Sequence, residues 1–180
     1  MARMSDEGLQ QDATTTSPAA ICAKGYFDAL SRRDPDAMIA HWAPDGIDDI
    51  VPLRVLRGHD EIRSFFSGLF AAMPDLETHV RRIVADEARA AVEWRMRGTF
   101  SGSSFEGIAP TGQTLELRGI DLLEVKGALI VRNVAYYDGA AFARQLGMLP
   151  APDSPAERAL KSAFNAYVKV RRDIVGRIGG

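Results

Sequence analysis

The chain predicts an α+β domain in which helices come first and cover one face of an antiparallel sheet of four long strands. Two observations carry that prediction. Within Glu77–Asp138, the runs Ala90-Ala91-Val92-Glu93-Trp94-Arg95-Met96-Arg97 and Leu115-Glu116-Leu117-Arg118 alternate apolar and polar residues, the period of a half-buried strand. Short polar turns at Ala85–Arg89 and Lys126-Gly127 join neighbouring runs, which is the mark of hairpins. A strongly curved sheet with helices on one side encloses a cone-shaped cavity, and such sites take small, mostly apolar ligands.

The elements follow in order. Ser17-Pro18 supplies an N-cap and a proline at the first helical position. The helix it starts runs to about Arg33, with Ala23, Tyr26, Phe27 and Leu30 on one face. Asp34-Pro35 opens a short second helix carrying Met38, Ile39 and Trp42, and Pro44-Asp45-Gly46 stops it. Ile47–Val55 reads as a short strand, with Pro52 pointing to a sheet edge or a bulge. A third helix begins near Gly58-His59-Asp60 and carries Ile62, Phe65, Phe66, Leu69, Phe70 and Met73, a wide apolar stripe. Val80, Ile83 and Val84 mark the first long strand, and Ala128–Tyr137 is the last. Ser154-Pro155 caps a final helix, Ala156–Ile178. The expected organisation is a disordered head over residues 1–17, one domain over 18–150, and a linker with an amphipathic C-terminal helix over 151–180.

Composition narrows the function. The 180 residues are 46% hydrophobic and 26% charged with a net charge of −2, which does not suit a nucleic-acid binder. The lone Cys22, between alanines and Ile21, permits neither an intrachain disulfide nor a cysteine zinc site and reads as core. His41, His59 and His79 have no metal-ligand spacing, and Gly102–Gly112 lacks what a phosphate loop needs, so no metal and no cofactor is expected. Met1–Ser17 has no apolar h-region and no run is long enough to span a membrane, so membrane insertion is not expected and the location expected is cytoplasmic. Over Ser154–Gly180 six Lys/Arg oppose two acids. That helix is expected to dock on the domain or on a second subunit. An anionic membrane surface or nucleic acid is the sharper alternative, and Glu157 and Asp173 interrupt the charge run that it needs.

Together with the element order, Ala43-Pro44-Asp45, Arg57-Gly58-His59-Asp60-Glu61-Ile62, Met73-Pro74-Asp75-Leu76, Val92-Glu93-Trp94, Ala109-Pro110-Thr111-Gly112, Gly119-Ile120-Asp121 and Tyr136-Tyr137-Asp138 resemble the SnoaL-like polyketide cyclases of the NTF2-like superfamily. The resemblance covers about Pro18–Pro150. It implies a cone-shaped α+β barrel and a homodimer packed through the outer face of the sheet. Relatives include polyketide cyclases, epoxide hydrolase-like and ketosteroid isomerase-like enzymes, and proteins that only bind. It also implies an acid/base Asp three residues before the Asp that closes the last strand. Asp138 closes that strand here, and the implied place holds Ala135. The Arg-x-Asp pair of the epoxide hydrolase-like members reads Arg95-x-Arg97.

Asp121 is then the best carboxylate left. Between Ile120 and Leu122 its pKa would rise by desolvation, as an acid/base requires; a buried Asp held by a Tyr, Trp or backbone donor is the structural alternative. Of Asp48 and Asp49 at most one points inward on an extended segment, and Asp49 is carried as the pocket candidate. Asn133 and Tyr137 share strand parity with Ala135, so the family's register would turn them into the cavity to hold a carbonyl or hydroxyl, with Tyr137 as an oxyanion donor. Trp94, Phe66, Phe70 and Met73 read as core that also lines the pocket. The expected activity is proton transfer, as in a cyclase or isomerase, on a hydrophobic carbonyl-bearing polyketide- or terpenoid-like molecule. The competing class is a homodimeric small-molecule-binding protein without catalysis, and a third is an interaction module built on the C-terminal helix.

Overall fold

The computed structural model describes residues 16–178, with side chains described through residue 172. The expected disordered head lies outside the described residues except for its last two positions. The described chain divides into two units between Phe142 and Ala143.

In the first unit, α1 (Pro18–Ser31) starts where expected because the Ser17 hydroxyl accepts from the Ala20 N–H at 3.2 Å. It buries Ala23, Tyr26, Phe27 and Leu30. The Ser31 hydroxyl, 3.1 Å from the Thr78 carbonyl, ties its end to the sheet. Asp34 caps α2 (Pro35–Ile39), which is shorter than predicted. Trp42, expected on that helix, opens β1 (Trp42–Val51). Pro44-Asp45-Gly46 is a bulge inside β1, where the register shifts between Trp42 and Ile47 against the neighbouring strand. Pro44 has no N–H to give to a ladder, so the strand leaves its partner there and rejoins it after Gly46. The predicted strand Ile47–Val55 is a hairpin of β1 and β2 (Arg54–Arg57), with Pro52 in the turn between them.

Helix α3 (Gly58–Ala72) matches its predicted span. The Glu61 carboxylate accepts the Arg57 N–H at 2.8 Å, and Ile62, Phe65 and Phe66 are buried. The four long strands are β3 (Glu77–Ala85), β4 (Arg89–Thr99), β5 (Thr114–Lys126) and β6 (Leu129–Tyr137). The sheet order is β2-β1-β6-β5-β4-β3, curved, with every pairing antiparallel except β1 with β6. That parallel pair corrects the wholly antiparallel expectation. It exists because the chain returns through three hairpins and lays its last strand beside its first.

The core lies between α1, α2, α3 and the inner face of the sheet, around Tyr26, Phe27, Trp42, Ile62, Val92 and Leu123. The loop after β4 is held to this body by Phe105, whose ring sits 5.2 Å from Phe65, and by the Arg54–Glu106 ion pair at 2.9 Å. A surface groove of about 370 Å³ opens there, lined by Arg54, Leu56, Phe65, Phe105 and Glu106 among others. A short helix that the sequence reading did not contain, α4 (Gly139–Gln145), begins where Asp138 accepts the Ala141 N–H at 2.8 Å.

In the second unit, α5 (Pro155–Ile178) starts at the predicted cap, with Ser154 accepting from the Glu157 N–H at 3.1 Å. Leu160, Phe164, Tyr167 and Val170 are exposed. No helix among the described residues is long and apolar enough to cross a membrane.

Candidate functional site: two buried carboxylates on the inner face

Strand period places the site. On β5 the inward residues are Leu115, Leu117, Gly119, Asp121, Leu123 and Val125, and only Leu117 and Gly119 among them are half-exposed. Met96 on β4 and Tyr137 on β6 face the same way and are also half-exposed. These half-exposed positions adjoin one another, Met96 pairing with Leu117 and Gly119 with Tyr137. Asp121 follows Gly119 on the same face and is buried.

Asp121 is 5% exposed and makes two hydrogen bonds. The Trp94 indole N–H donates to Oδ1 at 2.7 Å and the Asn133 amide donates to Oδ2 at 2.8 Å. Trp94 reaches it because its cross-strand partner is Gly119, and a Cβ there would run into the Trp94 ring and the Tyr136 carbonyl oxygen. The bare backbone lets the indole lie flat across β5 and present its N–H two residues further on.

The same Asn133 amide nitrogen donates at 3.0 Å to Oδ1 of Asp48, which is 1% exposed. Asn133 can serve both acids because it pairs with Asp48 on the β1 side and with Leu123 on the β5 side, which puts Asp121 on its diagonal. Both amide N–H bonds are thereby spent on carboxylates. Oδ2 of Asp48 and Oδ1 of Asn133 are buried without a hydrogen-bond partner.

Burial drives the electrostatics. It raises the Asp121 pKa from 3.8 to about 6, against the two hydrogen bonds that hold it down. Asp48 is pushed well above the usual carboxylate range, first by burial and then by the Asp121 charge, with only Asn133 opposing. Burial thus favours the proton on both carboxyls, and a charge on Asp121 favours it further on Asp48. Tyr26 completes the surroundings. Burial raises its pKa, and the charges of Asp48 and Asp121 raise it further; the Trp42 indole N–H, which makes no hydrogen bond of full geometry, opposes that rise. Among the described residues no three His, Cys, Asp or Glu converge as a metal site.

The other predicted residues distribute as follows. Tyr137 is half-buried, its ring 6.0 Å from Phe142. Asp49 lies on the opposite parity from Asp48 and faces away from the cluster; Asp48 takes the place that Asp49 was expected to fill. Phe66 is buried, and Phe70, half-buried, lies 6.2 Å from it. Met73 packs at the far end of α3 near Gly98 and Leu76, away from the acids. Sequence reasoning missed Asp48 as the inward acid, and it missed Tyr26 and Gly119 as parts of the site.

The model of the SnoaL-like polyketide cyclase family matches residues 20–146. The chain belongs to that family. Solved SnoaL-like structures share its fold. A candidate SnoaL-like polyketide cyclase from Jannaschia sp. CCS1 superposes with a TM-score of 0.67 at 18% identity, covering 79% of this chain and 100% of its own. A candidate polyketide cyclase from Xanthomonas campestris pv. campestris gives 0.61 at 26% identity, with 72% and 96% covered. AclR from Streptomyces galilaeus, a candidate hydroxylase, gives 0.63 at 25% identity, again with 72% and 96% covered. A search of curated protein sequences returns no significant match. Within this SnoaL-like domain, Ala135 is the direct cross-strand partner of Asp121.

Proposed function

We propose that this SnoaL-like protein catalyses proton transfer on a hydrophobic, carbonyl-bearing small molecule of polyketide or terpenoid type, using Asp121 and Asp48 as a coupled acid/base pair. One observation carries the reading: two inward carboxylates, both buried, are joined by a single amide, and burial favours the proton on each. A pair holding one proton and one charge can take a proton from carbon and return one to oxygen without a further reagent. The resemblance places the family's acid/base Asp at position 135, and directly opposed side chains on paired strands have Cβ atoms roughly 5 Å apart. A carboxylate at Asp121 thus serves nearly the same point from the neighbouring strand. Asn133 holds the two acids, and the Tyr137 hydroxyl is the donor left for the substrate oxygen.

Enolisable cyclic ketones incubated with the protein in D₂O should gain deuterium beside the carbonyl faster than in buffer alone, read by mass spectrometry. No acceleration across such a panel, with the ligands shown to bind, would establish the non-catalytic alternative. That second reading has its own support, since both oxygens of Asp121 already accept hydrogen bonds and the carboxylate is 5% exposed.

We also read the outer face of the sheet as a homodimer surface. Ile120 and Tyr136 are cross-strand partners, Leu122 lies on the same face, and all three are exposed. Leu122→Arg should convert dimers to monomers in sedimentation velocity, and a wild-type protein that sediments as a monomer would end this reading.

A further inference from the structure

From Arg158 to Arg172 every residue of α5 except Val168 is exposed, so the described residues cover no face of that stretch. A helix draws most of its stability from packing an apolar face, and α5 carries such a face unpacked. At about 3.6 residues per turn, Leu160, Phe164 and Tyr167 fall within roughly 60° of one another, with Val170 at the border of the stripe. The sequence continues the same spacing to Ile174 and Ile178. Met148, ahead of the helix in the same unit, is exposed as well.

The charge around this stripe is cationic. Glu157, which interrupts the charge run in the sequence, is occupied at the start of the helix. Its carboxylate accepts the Asp153 N–H at 2.9 Å and the Lys161 ammonium at 2.8 Å, and it lies 3.7 Å from the Arg144 guanidinium. Its side chain is only 13% exposed. Lys169, Arg171 and Arg172 are exposed and make no ion pair among the described residues. Lys161 and Arg172 flank the stripe, and Arg158 and Lys169 lie across the helix from it.

We propose that α5 docks on an anionic phospholipid surface, lying in the plane of the interface with Leu160, Phe164 and Tyr167 among the acyl chains and the cations at the headgroups. It does not cross the membrane, for which it is not apolar enough. Arg171 favours lipid over a second copy of the chain. It follows Phe164 by seven residues and Tyr167 by four, which puts it on the stripe itself. Against a second α5 it would be buried on a stripe that carries no acid to meet it, and two helices with an excess of cations would repel. At a lipid surface its methylenes stay in the apolar layer while the guanidinium reaches a phosphate.

The test is co-sedimentation of the full chain with vesicles of phosphatidylcholine alone and of phosphatidylcholine with about one-third phosphatidylserine. Affinity for the anionic vesicles should be at least about ten-fold higher and should fall steeply as salt is raised from about 0.1 to about 0.5 M. Phe164→Glu, at an exposed position, should leave the melting temperature unchanged and weaken binding by at least about ten-fold. Lys169→Gln combined with Arg172→Gln keeps the stripe and should cut the preference for phosphatidylserine; if Phe164→Glu does not fold, this variant decides. No binding to the anionic vesicles, equal binding to both kinds, or an unchanged preference in the double variant would each overturn the proposal. So would binding that survives Phe164→Glu, which would leave charge alone at work, as on a nucleic acid. Self-association that Phe164→Glu abolishes, without vesicle binding, would overturn it in favour of a second copy. None of these readouts involves the inner face, so membrane docking stands or falls apart from the reaction proposed there.

Discussion

Asp121→Asn should lower the rate of proton transfer by about 10²–10⁴-fold, the usual share of one acid/base group, while leaving the fold and ligand affinity close to those of the natural chain. The substitution keeps shape and burial and removes the charge. The amide can still accept from the Trp94 indole, and a rotated Asn133 can accept from it in turn, with the Asp48 proton completing the set. The variant also has a signature in stability that is independent of any substrate. A carboxyl whose folded pKa is about 6 binds more protons in the native than in the unfolded state between pH 3.8 and about 6. Stability contributed by this group is greatest at low pH and is lost as pH rises through that window. The loss is of the order of 3 kcal/mol for Asp121. Thermal melts of the natural chain should therefore rise on acidification towards pH 4, and Asp121→Asn should flatten that rise. Asp48 should titrate lower in the variant, since the charge that helps to raise it is gone. Unchanged turnover would remove Asp121 from the mechanism, and a flat melt profile in the natural chain would show that neither carboxyl is held protonated.

Much of this was legible because local pattern and tertiary role agree. The period-two runs became β4 and β5, the capped apolar stripes became α1 and α3, and Asp121 stood out because its neighbours on the strand are apolar. The segment from Trp42 to Arg57 resisted. Trp42 has the spacing of a residue on the Met38–Ile39 helix, and once it is read there the alternation Trp42, Gly46, Asp48, Ile50 disappears from view. Those even-numbered positions are the buried ones, so the same period that revealed β4 would have chosen Asp48 over Asp49. The bulge at Pro44–Gly46 and the parallel pairing with β6 depend on a strand far along the chain, and Asn133 meets Asp48 across 85 residues of sequence. Local propensity carries no record of such a partner. Tyr26 is core, as its place on the apolar face of α1 predicts. Only its nearness to two acids from other elements makes it part of the site.

Gly119→Ala should be among the most damaging single substitutions in the chain, at a position that the sequence marks only as the glycine of Gly119-Ile120-Asp121. Its Cβ would point to the inner face and meet the Trp94 ring on one side and the Tyr136 carbonyl oxygen on the other. The ring can move, but the carbonyl belongs to the β5–β6 ladder and cannot move without loosening the pairing of Gly119 with Tyr137. Overpacking of this kind costs about 3 kcal/mol. If the ring yields instead, the indole N–H leaves Asp121 Oδ1, and a buried carboxylate loses one of its two donors. The Asp121 pKa should then rise further, because the lost bond was holding it down. The two routes are separable. Ladder damage lowers the melting temperature at every pH, whereas loss of the indole bond shifts the pH at which stability falls to a higher value. A Gly119→Ala protein with natural stability and an unmoved pH profile would mean that Trp94 does not lie over this glycine, and the geometry proposed for the acid pair would go with it.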